Sequence, residues 1–199
     1  MEFVNGVSLR TMLIKKILYR RIEPLKNFFL RIGIGMRAFH DSSLNYGTRF
    51  VGELAYNSRR VTESSQYLTN EERKKLIRHI EMAERQANSI TKLAKIRIHN
   101  DWTIRNILIL NTGSFNIVDL DSMEAPENSR WYDLTYFMIN LESYLKYWPI
   151  VNKMSLVSLW ESFWQGYLMK GIPEKLTNKQ VIAIISVSYT HLRAHETKA

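Results

Sequence analysis

Three polar side chains near the middle of the sequence have the types and spacing that phosphoryl transfer requires. Asp101 and Asn106 share a short polar segment, and Asp119 lies further along the chain, directly after an apolar run. Phosphoryl transfer needs a carboxylate that accepts the proton of the acceptor hydroxyl, and oxygen ligands that hold Mg²⁺ against the nucleotide phosphates. Asp101 suits the first task. Asn106 and Asp119 suit the second, because hard cations such as Mg²⁺ prefer carboxylate and amide oxygens.

Short strands are predicted on both sides of this polar segment. The β-branched or apolar runs that indicate them lie at 95–98, 107–110 and 115–118. Residues 111–114, Asn-Thr-Gly-Ser, supply turn chemistry between the last two runs, so these two runs are predicted to form a hairpin. Because a hairpin folds the loops at its open end together, we expect Asp101, Asn106 and Asp119 to converge on one open cleft.

Helical periodicity dominates the rest of the chain. Helices are predicted from Ser8, from Pro24, over 69–88, over 131–143, over 152–169 and from Thr177 to Val187. Ser8 and Thr177 can cap their helices, Pro24 suits a first helical turn, and Thr69 with Glu72 forms a capping box. The Trp and Phe residues of the 152–169 helix are interpreted as core, not as a ligand-stacking surface. The fold class indicated is α+β and predominantly helical.

The composition of the chain excludes some kinds of site and some classes of protein. The chain has no cysteine, which excludes disulfides and thiolate metal ligands, and 45% hydrophobic residues, enough for a substantial core. It has neither a signal peptide nor an apolar stretch that spans a bilayer, so a cytoplasmic protein without a membrane span is expected. The net charge of +9 would favour anionic partners such as nucleotides, nucleic acid or acidic lipid headgroups, but solvated helix faces are the preferred explanation of the basic clusters. No nucleic-acid-binding motif accompanies the charge, and no nucleic acid is expected as a partner.

The polar segment, together with the strands and turn after it, resembles a known pattern. Residues 98–109 and 117–121 match H-x-D-x-x-x-x-N followed by a strand, a turn and h-h-D, the catalytic and metal loops of kinase-like phosphotransferases. A protein kinase would continue with Phe-Gly and a long activation loop. Here Leu120 and Asp121 come next instead, and Trp-Tyr-Asp-Leu at 131–134 comes after a short loop. This is similar to the D-x-[DE] and Y-D-L-A patterns of aminoglycoside phosphotransferases and choline kinases.

This resemblance implies a protein-kinase-like C-terminal lobe that uses ATP and Mg²⁺ and acts on a hydroxyl of a small molecule. It assigns Asp101 as the base and Asn106 and Asp119 as metal ligands. The residue matching Asp133 buttresses the catalytic loop in that family, a structural role. Asp121 either helps to order the metal and Asp119 or only hydrogen-bonds locally.

Two positions in the loop depart from the family pattern, and a third, His99, is expected to support the site. Asn100 replaces the usual Gly of H-G-D, a mild change because Asn tolerates positive φ, and Ile104 stands where Pro is common. His99 is interpreted as a structural hydrogen-bonding residue that supports the site and not as a proton carrier.

The first residues resemble the hinge of these enzymes. Over 1–9, the backbone groups of Glu2 and Val4 would bind the adenine edge. The Gly-rich loop and the strand Lys that precede the hinge in this family are then missing, so 1–187 is expected to be a C-terminal lobe fragment that is inactive by itself. A non-catalytic binding or scaffold module is the alternative. The acceptor stays open among an aminoglycoside, choline, a sugar and a lipid-linked saccharide.

The last residues, 188–199, depart from the apolar pattern of 181–187 and resemble the translated sequencing-adapter peptide that contaminates assembled environmental reads. They are therefore expected to be a non-native tail, packing against nothing from about Ser188 onward. His191 and His195 have a spacing that could hold zinc on a helix, but no third ligand is near them in the sequence, and no metal is expected there.

Overall fold

The computed structural model describes residues 6–18, 23–43, 45–66, 68–88, 91–119, 127–146 and 153–196. The α-helices in these ranges are α1 Leu9–Leu18, α2 Glu23–Ser42, α3 Val51–Ser64, α4 Asn70–Ala87, α5 Arg130–Lys146, α6 Lys153–Tyr167 and α7 Asn178–Glu196. The strands are β1 Gly6–Ser8, β2 Asn45–Phe50, β3 Lys92–Arg97, β4 Ile107–Leu110, β5 Phe115–Ile117 and β6 Glu127–Asn128, and a 3₁₀ turn covers Pro173–Lys175. The prediction of a predominantly helical α+β fold is confirmed.

The chain divides into two compact units. The first comprises 1–43, 99–126 and 137–171, and the second comprises 44–98, 127–136 and 172–199. Each contains a three-stranded antiparallel sheet, in the order β1-β4-β5 in the first unit and β2-β3-β6 in the second. Among the described residues, no helix is long and apolar enough to cross a membrane.

The first unit has an aromatic core between α2, α5 and α6. Phe29, Phe137, Trp160 and Phe163 have ring centroids 5.3 to 6.5 Å apart, mostly edge to face. Such pairs add about 0.5–1.5 kcal/mol beyond the burial of their area. The interpretation of the α6 aromatics as core is therefore confirmed.

The hairpin predicted from the sequence forms in the first unit. Strands β4 and β5 are antiparallel, with Ile107 opposite Ile117. Gly113 takes the positive φ of 78° that the turn requires, and its carbonyl accepts a 2.8 Å hydrogen bond from Nη1 of Arg31 on α2. Strand β1 pairs with the other side of β4 and was not predicted, because a three-residue strand is too short to show a period of two.

The second unit contains elements that the sequence did not indicate, among them α3 and β2. Helix α3 begins after Phe50, which makes no side-chain capping hydrogen bond, so the usual start signal is missing. Strand β3 begins at Lys92, earlier than predicted, and pairs with β2 and β6. The partner β2 carries Gly47 and a register irregularity, which obscure its alternation.

The capping box at the start of α4 is confirmed. Thr69 Oγ1 accepts from the amide of Glu72 at 3.2 Å, and the Glu72 carboxylate accepts from the amide of Thr69 at 2.9 Å. The hydrogen bonds from the Thr69 side chain and backbone hold the pKa of Glu72 below its usual range. Because the pKa is lowered on folding, the stabilisation is present above the unfolded-state pKa and is lost as pH falls through the folded-state pKa.

We therefore expect the first turn of α4 to open in acid, below the ordinary glutamate pKa of about 4.3. Hydrogen exchange of the amides at 70–73, followed from neutral pH into the acid range, should show protection falling as Glu72 is protonated. In the matched variant Glu72→Gln, whose side-chain amide does not titrate, this pH-dependent fall in protection should be absent. An identical step in the variant would show that another group is responsible.

Glu174 joins β3 and α5 within the second unit. Its Oε1 accepts from the amide of Ala94 at 3.0 Å, and its Oε2 accepts from Trp131 Nε1 at 2.9 Å. The Arg130 guanidinium lies 3.7 Å away, and the two charged side chains are only 10% and 12% exposed. Glu174 has a φ of 62°, a left-handed conformation that is unfavourable for a residue with a Cβ. These contacts must therefore outweigh local strain.

Substituting Glu174→Gln should lower the free energy of unfolding by about 2 to 4 kcal/mol. The amide keeps one acceptor oxygen where the carboxylate used two, and the Arg130 guanidinium loses this neighbouring carboxylate. Urea denaturation measures the change. The control is Glu53→Gln, whose carboxylate is 57% exposed and 3.9 Å from Arg49, and which should change stability by less than about 0.5 kcal/mol. Equal effects of the two substitutions would contradict this role for Glu174.

The expectation for the end of the chain is corrected by α7. The helix continues to Glu196, and Ser188 and Thr190 are each 1% exposed. The prediction that the chain packs against nothing from Ser188 onward is therefore wrong, because small polar side chains stay buried on this helix after the apolar run ends. The side chains of His191 and His195 lie outside the described part of the structure.

Candidate functional site

The segment between β3 and β4 folds around a hydrogen bond between two of the predicted site residues. Asn106 Nδ2 donates to Asp101 Oδ2 at 2.7 Å and to the Asp101 carbonyl at 3.1 Å. Because both partners are acceptors, they fix which end of the Asn106 amide carries the nitrogen. Its Oδ1 is then the atom that remains for a cation. Asp101 is half-buried, and its Oδ1 accepts no hydrogen bond from the described residues.

His99 holds Asp101 from the other side. It is completely buried, and its Nδ1 accepts a 3.3 Å hydrogen bond from the amide of Asp101. An Nδ1 that accepts carries no proton, so a neutral His99 has its proton on Nε2. Between the two, Asn100 has a φ of 65°. Glycine adopts this left-handed conformation without strain, and asparagine tolerates it better than most other residues.

Backbone hydrogen bonds fix the rest of the loop. The amide of Thr103 donates to the Asp101 carbonyl at 2.8 Å, which closes a tight turn. Ile104 accepts from the amide of Arg10 at 2.9 Å and donates to Asn140 Oδ1 at 3.3 Å, so α1 and α5 both hold it. The loop is therefore rigidly supported within the first unit, as a site that depends on positioning requires.

Asp119 follows the second strand of the hairpin. The amide of Val118 donates to the Asn106 carbonyl at 2.9 Å, which places the backbone just before Asp119 against Asn106. Asp119 is exposed and has a φ of 63°. Such strain in a non-glycine residue is concentrated at functional sites. The structure thus brings Asp101 and Asn106 into contact and Asp119 to the same end of the hairpin; that all three line one open cleft stays a prediction.

The remaining predicted site residues are Glu2, Val4, Asp121 and Asp133. Glu2, Val4 and Asp121 lie outside the described residues. Asp133 is fully buried in α5, in the portion of that helix that belongs to the second unit. Burial raises the pKa of the neighbouring Tyr132 hydroxyl, and the Asp133 carboxylate raises it further. Within the described ranges, no three His, Asp or Glu side chains lie together as a metal-binding group.

Arg105 is a residue of this loop that the sequence analysis did not single out. It lies directly before Asn106, is exposed, and pairs with no carboxylate in the described part of the chain. An exposed arginine side chain that pairs with no described carboxylate is available to an anionic ligand. The available signal was that Arg105 is the one charged residue between the Asp and the Asn of the motif.

No protein-family model matches this sequence, and no curated protein matches it. Solved structures do match. Glucosamine kinase superposes with a TM-score of 0.65 at 14% identity, over 99% of this chain and 54% of that protein. An ethanolamine kinase from Plasmodium vivax superposes with a TM-score of 0.56 at 16% identity, over 98% of this chain and 57% of that protein. The chain has a protein-kinase-like fold.

A third solved structure, an aminoglycoside-3′-phosphotransferase of type VIII, matches with a TM-score of 0.48 at 15% identity, over 95% of this chain and 67% of that one. Because the first two matched structures are only 14% and 16% identical to this chain, their likeness establishes its fold alone. The predicted resemblance to kinase-like phosphotransferases is confirmed at that level. The chain spans 54% and 57% of the lengths of glucosamine kinase and ethanolamine kinase.

Proposed function

We propose that this chain is the C-terminal lobe of an ATP- and Mg²⁺-dependent phosphotransferase that acts on a hydroxyl of a small molecule. The observation that carries the proposal is the hydrogen bond from Asn106 Nδ2 to Asp101 Oδ2 at 2.7 Å, in a loop of a protein-kinase-like fold. It leaves one oxygen of Asp101 for an acceptor hydroxyl and the oxygen of Asn106 for a cation.

Asp101 is the proposed general base. Its second carboxylate oxygen would accept the proton of the acceptor hydroxyl as the hydroxyl oxygen attacks the γ-phosphoryl group of ATP, whose bond to the β-phosphate oxygen breaks so that ADP leaves. His99 holds the Asp101 backbone, and Asn106 holds its side chain. Because these partners are fixed by the fold, the carboxylate needs little reorganisation when the acceptor binds.

Asn106 and Asp119 are the proposed metal ligands. Their amide and carboxylate oxygens have the chemistry that Mg²⁺ prefers, and two protein ligands suffice where nucleotide phosphates and water complete the coordination. When bound, Mg²⁺ neutralises charge on the phosphates. Asp121 and Asp133 are proposed to support the site, and the backbone of Glu2 and Val4 to bind adenine.

The sequence lacks the motifs that bind the nucleotide phosphates in kinases. The printed sequence contains neither the G-x-G-x-x-G motif of a kinase Gly-rich loop nor a Val-Ala-Ile-Lys motif. We therefore expect the chain alone to turn over ATP slowly, since the phosphates are not held in line with the acceptor. The same observation favours the alternative, a non-catalytic kinase-like binding or scaffold module.

An acceptor screen tests the proposal. ATP turnover is followed for the chain alone and for a version that carries an upstream ATP lobe. The acceptors include glucosamine and ethanolamine, which the matched kinases are named for, together with choline and an aminoglycoside. Turnover that requires both the added lobe and one acceptor supports the proposal. Nucleotide binding by the extended version without turnover of any acceptor would favour the scaffold alternative.

A substitution at Arg105 tests whether this loop receives phosphate. Arg105→Gln should weaken the binding of inorganic triphosphate with Mg²⁺ to the chain by about tenfold, the value of one charge-assisted contact. Isothermal titration measures the affinity. Lys74→Gln, which removes an exposed charge from α4, is the matched control for net charge. An equal loss in both variants would show that only the overall charge of the protein attracts the anion.

A further inference from the structure

Aromatic rings, all buried except the half-buried Phe39, form a continuous series from the catalytic loop to the ends of α2 and α6. His99 and Trp102 have ring centroids 5.7 Å apart, Trp102 and Phe39 are 6.0 Å apart, and Phe39 and His40 are 5.7 Å apart. The series ends at Tyr167, 5.8 Å from His40. All of these residues belong to the first unit.

One hydrogen bond closes the far end of this ring series, which comprises His99, Trp102, Phe39, His40 and Tyr167. His40 Nδ1 and the Tyr167 hydroxyl are 2.9 Å apart, and both side chains are at most 1% exposed. A hydrogen bond between two buried polar groups is costly to lose, because no water replaces it. It therefore fixes the orientation of the His40 ring and, through packing, that of Phe39.

Arg37 holds this end of the series in place. It donates from Nη1 to the Gly171 carbonyl at 2.8 Å and to the Tyr167 carbonyl at 3.3 Å, at the end of α6. Its Nε donates to both oxygens of Asp41 at 2.8 and 3.0 Å. Its guanidinium also lies 5.7 Å from the centroid of the Tyr167 ring. Tyr167 is thus held through its backbone, its ring and its hydroxyl.

At the other end of the series, His99 and Trp102 are directly linked to Asp101. His99 accepts the hydrogen bond of the Asp101 amide, and Trp102 is the next residue along the chain and is fully buried. A rotation of either ring would shift the Asp101 backbone, because interiors are close-packed and transmit displacements. A misplacement of about 1 Å at a reacting group can cost about a hundredfold in rate.

We infer that His40 and Tyr167 are positioning residues for Asp101, acting through Phe39, Trp102 and His99. This inference rests on the proposed function for the role of Asp101. The positioning itself is a property of the fold, however, and it can be measured without any turnover.

The test uses the whole chain, labelled with ¹⁵N, and the variants Tyr167→Phe and His40→Phe. Both keep an aromatic ring at the substituted position and remove the hydrogen bond between the two side chains. We expect each to move the Asp101 amide signal and the Trp102 indole signal, and to weaken Mn²⁺ binding at Asn106 and Asp119 by about tenfold, the lower end of the loss that removal of a supporting residue causes.

Ser162→Ala is the matched control. It removes a 3.0 Å hydrogen bond to the Ser158 carbonyl within α6 and should leave both signals and the Mn²⁺ affinity unchanged. His40→Gln, which can still hydrogen-bond Tyr167, should restore the Asp101 signal in part and covers the case in which His40→Phe does not fold. Variants that lose stability while the Asp101 and Trp102 signals stay in place would overturn the inference. Displaced signals in a protein that never transfers phosphate would overturn the proposed function only.

Discussion

Replacing Gly166 with alanine should destabilise the chain by about 3 kcal/mol or more, or prevent folding. A Cβ on Gly166 in α6 would lie 2.0 Å from the Leu30 carbonyl oxygen of α2, and a Cβ on Gly33 would lie 2.2 Å from the Phe163 carbonyl oxygen. Both obstacles are backbone atoms in helices, so relief requires the two helices to separate. That separation would open the aromatic core between them.

Helix propensity alone predicts the opposite sign. In an isolated helix, alanine is favoured over glycine by about 1 kcal/mol, so any net loss in Gly166→Ala measures the close packing of α2 against α6. Gly35→Ala is the matched control, because its Cβ would meet the Phe115 ring at 2.4 Å, and a side chain can move aside. Urea denaturation should give a clearly smaller loss for Gly35→Ala. A Gly166→Ala variant more stable than the wild type would contradict the packing described.

The substitution Asp101→Asn should abolish most phosphoryl transfer while leaving the fold intact. An asparagine at this position still offers an oxygen to Asn106 Nδ2, so the loop keeps its hydrogen bond, but it cannot accept the proton of the acceptor. Loss of a general base lowers kcat by about 10² to 10⁴, and ATP affinity should change little.

The measurement is kcat and KM for ATP in a version that carries an ATP lobe, with Glu161→Gln, an exposed change on α6 of the same unit, as the control. A drop in kcat confined to Asp101→Asn supports its role as base. A normal kcat with a raised KM would show that Asp101 only helps to bind substrate.

Features with strong local signals could be predicted from the sequence. The capping box of Thr69 and Glu72 and the turn before Phe115 depend on neighbouring residues, and both occur as expected. The contact between Asp101 and Asn106 was also foreseeable, since only a short loop separates them.

Features that depend on tertiary contacts could not be predicted. Strand β1 is stabilised by pairing with β4, about 100 residues away in the sequence. The left-handed conformation of Glu174 is held by Ala94 and Trp131 from distant segments. Likewise, His40 lies at the end of a predicted helix, but its hydrogen bond to Tyr167 depends on how α2 and α6 pack.

The most direct test of the central claim is where a divalent cation binds. Mn²⁺, as a paramagnetic substitute for Mg²⁺, is added with ADP to the ¹⁵N-labelled chain, and the broadening of backbone amide signals is mapped. We predict the strongest broadening at 101–107 and 117–119, and its loss when Asn106→Leu and Asp119→Asn are combined. The alternative site is the pair of carboxylates Glu81 and Glu84 on α4, which lie near Arg59 of α3. Broadening centred on that pair and unaffected by the double substitution would contradict the assignment of this loop as the phosphoryl-transfer site.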